Sequence, residues 1–242
     1  MIDDFFLSLL LSPLLIPQAI YTKKTTLKLD EPEGKRKGQR GKGDTLKLLI
    51  LGDSAAAGVG ASHQKDALSG QLVEQLSKHY RLDWRLEAES GVTTAGILNK
   101  LDALDSFETD IVLISLGVND VTSKIRRKNW LEQQDQLKQL LMRKFKAKYI
   151  LFSCLPPMHK FPALPQPLRW FLGRRAKAFN HALETKCQAL DEFEFLSVSF
   201  PMEKEYFAVD GFHPSKAAYQ LWSEVVVARL LSKHSADILR KD

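Results

Sequence analysis

Four short stretches carry residue types that suit acyl-transfer chemistry. They are Gly52-Asp53-Ser54, Ser90-Gly91, Gly117-Val118-Asn119-Asp120 and Asp210-Gly211-Phe212-His213. Between them they supply a hydroxyl, a backbone amide beside a glycine, a carboxamide and an Asp/His pair. Acyl transfer needs a nucleophile beside a base, an acceptor that orients the base, and N–H donors aimed at the developing oxyanion. Asp210 lies three residues before His213, so a tight loop can turn its carboxylate onto the imidazole and fix the tautomer.

Other readings stay open on these residues alone. Ser54 can cap the helix that follows it, and "DGFHP" can be a plain turn with Pro214 opening a helix. "GDSAAAGVG" (52–60) can also wrap an anion at a helix N-terminus, which makes the chain a flavodoxin-like nucleotide- or phosphate-binding module. Against that module, the sequence has no G-K-[ST], and Gly52, Gly58 and Gly60 do not match G-x-G-x-x-G. It also leaves Asn119 and the Asp210/His213 pair without a task. Asp53 is expected to tie down the loop and Asp120 to cap the turn after Asn119.

The elements that must position these residues alternate between strand and helix signals. Leu46–Leu51, 110–117 and 148–154 are near-continuous apolar runs, as strands buried on both faces require. Leu82–Ala88 alternates as a strand near a sheet edge does, and Phe193–Val198 is a short fifth strand. Helical spacing joins Leu68, Leu72, Val73, Leu76 and Tyr80, then Val92–Leu104, then Trp130, Leu137, Leu141 and Phe145. Further helices are predicted over 168–190 and 215–233, with Ala218, Trp222, Val225 and Arg229 along one side of the last. Repeated β-α units of this kind predict a three-layer α/β/α fold around a parallel five-stranded sheet. In such a sheet the strands' carboxyl ends form the site, and the four stretches above fall there. The proline-rich "LPPMHKFPALPQPL" (155–168) is an excursion from regular structure. Trp170 and Phe171, just after it, are candidate substrate-binding residues for an acyl pocket. Trp84, Trp130 and Trp222 fall at core positions, and His63, His79 and His181 read as bystanders.

The 242 residues carry a net charge of +6, and much of the excess is local. Residues 21–43 hold eight Lys/Arg against three acids, which leaves too little over the rest for a nucleic-acid footprint. Cys154 and Cys187 make no disulfide framework, and neither has a His or Cys two residues away to suggest a metal pair. The N-terminal segment (1–22) has no charge from Phe5 to Ile20. Acids precede it and cations follow, the reverse of a cleaved secretion signal. It is short for a bilayer span and is interrupted by Pro13 and Pro17. The expectation is either a peripheral membrane anchor with a basic tail or a helix packed on its own domain or on a partner chain, the main domain being cytoplasmic. "EPEGKRKGQRGKG" (31–43) reads as part of a flexible basic linker over 23–43, with the folded domain spanning 44–242.

The set "GDSAAAGVG", "ESGVTTAG", "LGVND" and "DGFHPS", in this order over about residues 46–233, resembles the SGNH/GDSL hydrolase family. One departure stands out: Ala55, Ala56 and Ala57 replace the apolar residue and Thr or Ser that usually follow the first block. The resemblance implies a flavodoxin-like sheet and a serine ester hydrolase working through an acyl-enzyme. It implies Ser54 as nucleophile, His213 as base and Asp210 as its orienter. The oxyanion hole it implies is made by the amides of Ser54 and Gly91 and the carboxamide of Asn119. No metal or cofactor is called for, and the implied partner is a small-molecule or lipid ester.

Overall fold

The computed structural model describes residues 4–188, 192–201 and 203–234. Its strands are β1 (Lys37–Arg40), β2 (Thr45–Gly52), β3 (Arg81–Ala88), β4 (Ile111–Ser115), β5 (Tyr149–Ser153) and β6 (Phe193–Leu196). The helices are α1 (Asp4–Thr25), α2 (Ser54–Ala57), α3 (Leu68–Leu76), α4 (Thr94–Ala103), α5 (Val118–Thr122), α6 (Arg127–Lys144), α7 (Leu168–Cys187) and α8 (Lys216–His234). The sheet order is β1-β3-β2-β4-β5-β6, with β2 to β6 parallel and β1 antiparallel to β3. Without β1 this is the flavodoxin-like order.

Alternation along the central strands divides the core in two. Leu49 and Leu51 of β2 and Val112 and Ile114 of β4 face the side covered by α4, α6 and α7, with Trp130, Phe152 and Phe179. Leu48, Ile50, Leu113 and Leu151 face α3 and α8, where Leu68, Leu72, Tyr219 and Trp222 meet them. Period-two side-chain direction accounts for the split, and burial on both faces explains why Leu48–Leu51, Ile111–Ile114 and Ile150–Phe152 run without a polar residue. Trp84, Trp130 and Trp222 are all buried, as predicted. The buried face of α8 runs through Ala218, Tyr219, Trp222, Val226 and Leu230 rather than through Arg229, which instead pairs with Glu194.

The five parallel strands β2–β6 are those expected, and one expectation needs correction. The sheet has six strands among the described residues, and the extra one lies in the segment read as a flexible linker. Lys37–Arg40 pairs with Leu82–Arg85, Arg36 O accepts from Leu86 N at 2.7 Å, and Arg40 pairs with Glu74 at 2.6 Å. The folded unit therefore begins upstream of Asp44. A very short, charged strand is how a sheet edge is protected from pairing with other chains, and the same composition imitates a linker. Pairing of β1 also removes β3 from the outermost position, though β3 keeps its alternating burial.

The N-terminal helix α1 lies against α7 through Leu11, Leu15 and Gln18. Gln18 Nε2 donates to Gln166 O at 2.6 Å, and Gln18 Oε1 accepts from Leu168 N at 3.0 Å. Among the described residues no helix is long and apolar enough to cross a membrane.

Candidate active site

The strand ends bring the four stretches together. Ser54 opens α2 directly after β2, and Asp53 caps that helix by accepting from Ala55 N at 3.2 Å. Asp53 N donates to Ser115 O at 3.0 Å across the end of β4. Of the three alanines that follow, Ala55 lines the cavity beside Ser54 and the other two lie where the turn is packed tight. Ala56 and Ala57 are fully buried, and a larger side chain at either would meet the sheet beneath. Gln64 secures the far side of the loop, donating to Ala57 O at 2.7 Å, and Tyr219 of α8 donates to Val59 O at 2.7 Å. Gly60, at φ +101°, lies under the His213 loop. A Cβ there would sit 2.3 Å from Pro214 O, so only glycine lets the two loops approach this closely.

Ser54, His213 and Asp210 form one hydrogen-bonded chain. Ser54 Oγ and His213 Nε2 are 2.9 Å apart, and His213 Nδ1 is 2.5 Å from Asp210 Oδ2. Asp210 Oδ1 also accepts from the backbone N–H of Phe212 and of His213, both at 3.0 Å. Burial works to raise the Asp210 pKa. The ring of His213 and the two backbone donors outweigh burial and hold it below the ordinary carboxylate value. An ionised Asp210 can only accept. The Nδ1 position of His213 therefore carries the proton, and Nε2 faces Ser54 as an acceptor.

Two of the donors predicted for an oxyanion, Gly91 and Asn119, lie in the segments after β3 and β4, which are tied to each other. Gly91 adopts φ +81° at the tip of the loop after β3, with open space where a Cβ would point. Asn119 Nδ2 donates to Val92 O at 2.9 Å, which ties the carboxamide to the Gly91–Val92 loop and leaves its second N–H available. Among the described residues, the N–H groups of Ser54 and Gly91 donate to no protein acceptor. Unpaired backbone donors at a strand-to-helix turn suit an anionic oxygen.

Several supporting residues were missed at the sequence level. Asp120 does not merely cap its own turn: its carboxylate, buried and thereby raised in pKa, accepts from Thr94 N at 3.0 Å and Thr94 Oγ1 at 2.9 Å. This couples α5, which carries Asn119, to the start of α4, which follows Gly91. Losing a buried pair of this kind costs about 1–3 kcal/mol through the partner left unsatisfied. Glu31, in the stretch read as linker, accepts from Ser90 N at 2.7 Å and Ser90 Oγ at 2.8 Å. It is itself held by Arg36 at 2.8 Å and so pins the loop bearing Gly91. The "TT" after Gly91 hinted at Thr94, but nothing in the sequence pointed to Glu31.

An apolar cavity of about 80 Å³ opens beside Ser54 and His213. Its walls come from Leu155, Pro156, Pro157 and Phe161 of the proline-rich excursion and from Phe200, Tyr206, Phe207 and Phe212 ahead of His213. The aromatic wall is built edge to face, with Phe161 at 5.0 Å from Phe212 and 5.8 Å from Phe207. Trp170 and Phe171, predicted to line a pocket here, do not reach it. Trp170 is 46 % exposed on the outside of α7, and Phe171 is 7 % exposed, turned into the core toward α1. The excursion folds its own apolar residues over Ser54 before α7 begins, so the first turn of that helix is already past the site.

The anion-cradle alternative fares poorly on geometry. The helix at the loop has only four residues, and its first turn is already occupied by the carboxylate of Asp53. Burial raises the Asp53 pKa to about 6, and its Oδ2 has no hydrogen-bond partner. A buried carboxyl at that position repels a phosphate. No group of three or more His, Cys, Asp or Glu residues suited to a metal occurs among the described residues. Cys154 and Cys187 are free.

Known proteins share this arrangement of strands and helices. The lipase Lip_vut3 from a goat rumen metagenome superposes with TM-score 0.59 at 18% identity, over 76% of this chain and 96% of that one. An extracellular lipase from Streptomyces rimosus gives TM-score 0.58 at 18% identity, over 76% and 99%. The esterase EstA from Pseudoalteromonas sp., solved inhibited by monoethylphosphonate, gives 0.55 at 18% identity over 78% and 98%. No curated protein sequence matches the chain. The sequence model of the GDSL-like lipase/acylhydrolase family matches residues 50–221, a span that contains all four stretches from Ser54 to His213. The chain belongs to the GDSL-like lipase/acylhydrolase family.

Proposed function

We propose that the protein is a serine ester hydrolase that acts through an acyl-enzyme on Ser54. One observation carries the reading: the unbroken Ser54–His213–Asp210 hydrogen-bond chain at the mouth of an apolar cavity. The Ser54 oxygen attacks the ester carbonyl carbon while His213 Nε2 takes its proton. The negative charge on the former carbonyl oxygen faces the N–H groups of Ser54 and Gly91 and the Asn119 carboxamide. Collapse of the tetrahedral intermediate expels the alcohol, which receives the proton from His213. Water then repeats the sequence and releases the acid. Asp210 stays ionised throughout and stabilises the imidazolium. Hydrolysis of p-nitrophenyl acetate tests the reading directly: the full chain turns it over, and complete inertness toward such activated esters would overturn the proposal.

The oxyanion assignment makes its own prediction. In Asn119→Ala, kcat for p-nitrophenyl acetate falls by about 10²–10³, the usual worth of one such donor. Labelling of Ser54 by a fluorophosphonate persists, because the nucleophile and base are untouched. An unchanged kcat removes Asn119 from the mechanism.

The cavity supports an acyl group of modest length. Its walls, which include Leu155, Phe161, Phe207 and Phe212, enclose about 80 Å³, a space we assign to short acyl groups such as acetyl to butyryl. Wild type accordingly prefers p-nitrophenyl butyrate over octanoate. In Phe207→Ala the octanoate-to-butyrate ratio of kcat/KM rises about tenfold, the worth of roughly two newly buried methylenes. A ratio that stays fixed places the acyl group outside this cavity.

A further inference from the structure

The outer face of α1 is the apolar feature that neither the core nor the site accounts for. Leu11, Leu15 and Gln18 share the stripe that meets the domain. The rest of the circumference carries Leu10, Leu14, Ile16, Ile20 and Tyr21, each more than half exposed. No charged residue interrupts the helix between Asp4 and Lys23. An apolar surface of this extent in water marks a docking face.

Cations frame it. Between α1 and the chain following α5 runs a groove of about 990 Å³, with Leu15, Ile16, Ile125, Leu131 and Phe171 on its apolar walls. Lys124, Arg126, Arg127 and Lys128 stand exposed along its edge, and no acid lines it among the described residues. Lys23 and Lys24 close the end of α1. The groove borders Val121–Lys128, which follows Asn119 directly, so this face adjoins the edge of the sheet that carries Ser54.

We propose that α1 and the 124–128 stretch dock the protein on an anionic lipid bilayer, with α1 lying in the plane of the interface. The charge pattern selects this occupant. A second copy meeting the same face by two-fold symmetry would bring two clusters of Lys and Arg together. Buried protein interfaces are also depleted in charge, whereas a cationic rim around an apolar helix suits anionic headgroups over acyl chains. Spanning is disfavoured by Pro13, Pro17 and the two Gln18 hydrogen bonds that hold α1 to the domain.

The test is co-sedimentation of the full chain with phosphatidylcholine vesicles, with and without phosphatidylglycerol. Binding is at least about tenfold stronger with the anionic lipid, and Lys124→Glu with Lys128→Glu abolishes that preference. Leu14→Asp with Ile20→Asp lowers binding to the anionic vesicles about a hundredfold. Circular dichroism checks that the variants stay folded, independently of any hydrolytic activity. The proposal is overturned if the full chain ignores both vesicle types, or if the folded variants bind as wild type does. It is equally overturned by a dimer in solution that Leu14→Asp with Ile20→Asp dissociates, with no vesicle binding.

Discussion

In Ser54→Ala, kcat for p-nitrophenyl acetate falls by on the order of 10⁶, equivalent to about 8 kcal/mol of transition-state stabilisation. The size of the loss follows from what remains. Without the hydroxyl no acyl-enzyme forms, and water must attack directly in a site whose base is aimed at a serine oxygen that is gone. In the proposed mechanism the donors of Gly91 and Asn119 still face the carbonyl, so some rate above the uncatalysed reaction is expected to persist. Stability should change little, because Ser54 makes its side-chain bond to His213 and the cap of α2 belongs to Asp53. A thermal unfolding curve matching wild type separates lost chemistry from lost folding. A variant that keeps its fold and most of its rate contradicts the assignment.

His213→Ala lowers kcat by a similar factor, since nucleophile and base act as one unit and their losses do not add. The double variant Ser54→Ala/His213→Ala is therefore about as slow as either single one. This non-additivity distinguishes a shared proton-transfer step from two independent contributions, which would multiply. In His213→Ala the partner left behind is Asp210, a buried carboxylate that loses its ring donor but keeps the N–H groups of residues 212 and 213. Those two bonds limit the structural damage, so the expected destabilisation stays within about 1–3 kcal/mol. Rates of the two single variants and the double variant, measured on one ester, decide the matter.

Much of the fold is legible in the sequence because the strands that build it are buried twice over. Leu48–Leu51, Ile111–Ile114 and Tyr149–Phe152 have no exposed face, so nothing polar interrupts their runs. The site was legible for a related reason: Ser54, Gly91 and Asn119 each sit within a few positions of a strand end, while Asp210 and His213 flank Gly211 in the connection from β6 to α8 and were legible from their own three-residue spacing. Residues whose roles depend on distant partners were not legible. Glu31 reads as one charge in a basic stretch until β1 folds back and sets it against Ser90. The cavity wall from Phe200 to Phe212 lies in a long connection with no periodicity, and only packing onto Phe161 reveals its aromatic residues as one surface. Trp170 and Phe171 show the converse error. They are adjacent in sequence, but the 100° step of a helix sends one outward and the other inward. α1 resisted reading because it is apolar around its whole circumference, so periodicity could not tell the packed face from the open one.

The central claim is that the Ser54 oxygen becomes covalently acylated. Its most direct measurement is mass spectrometry of peptides from the full chain after reaction with a fluorophosphonate. A single adduct on Ser54, matched in extent by loss of p-nitrophenyl acetate hydrolysis, is the predicted result. An adduct on Ser115 or Cys154, which line the same cavity, with the Ser54 peptide unmodified and activity lost, would contradict it.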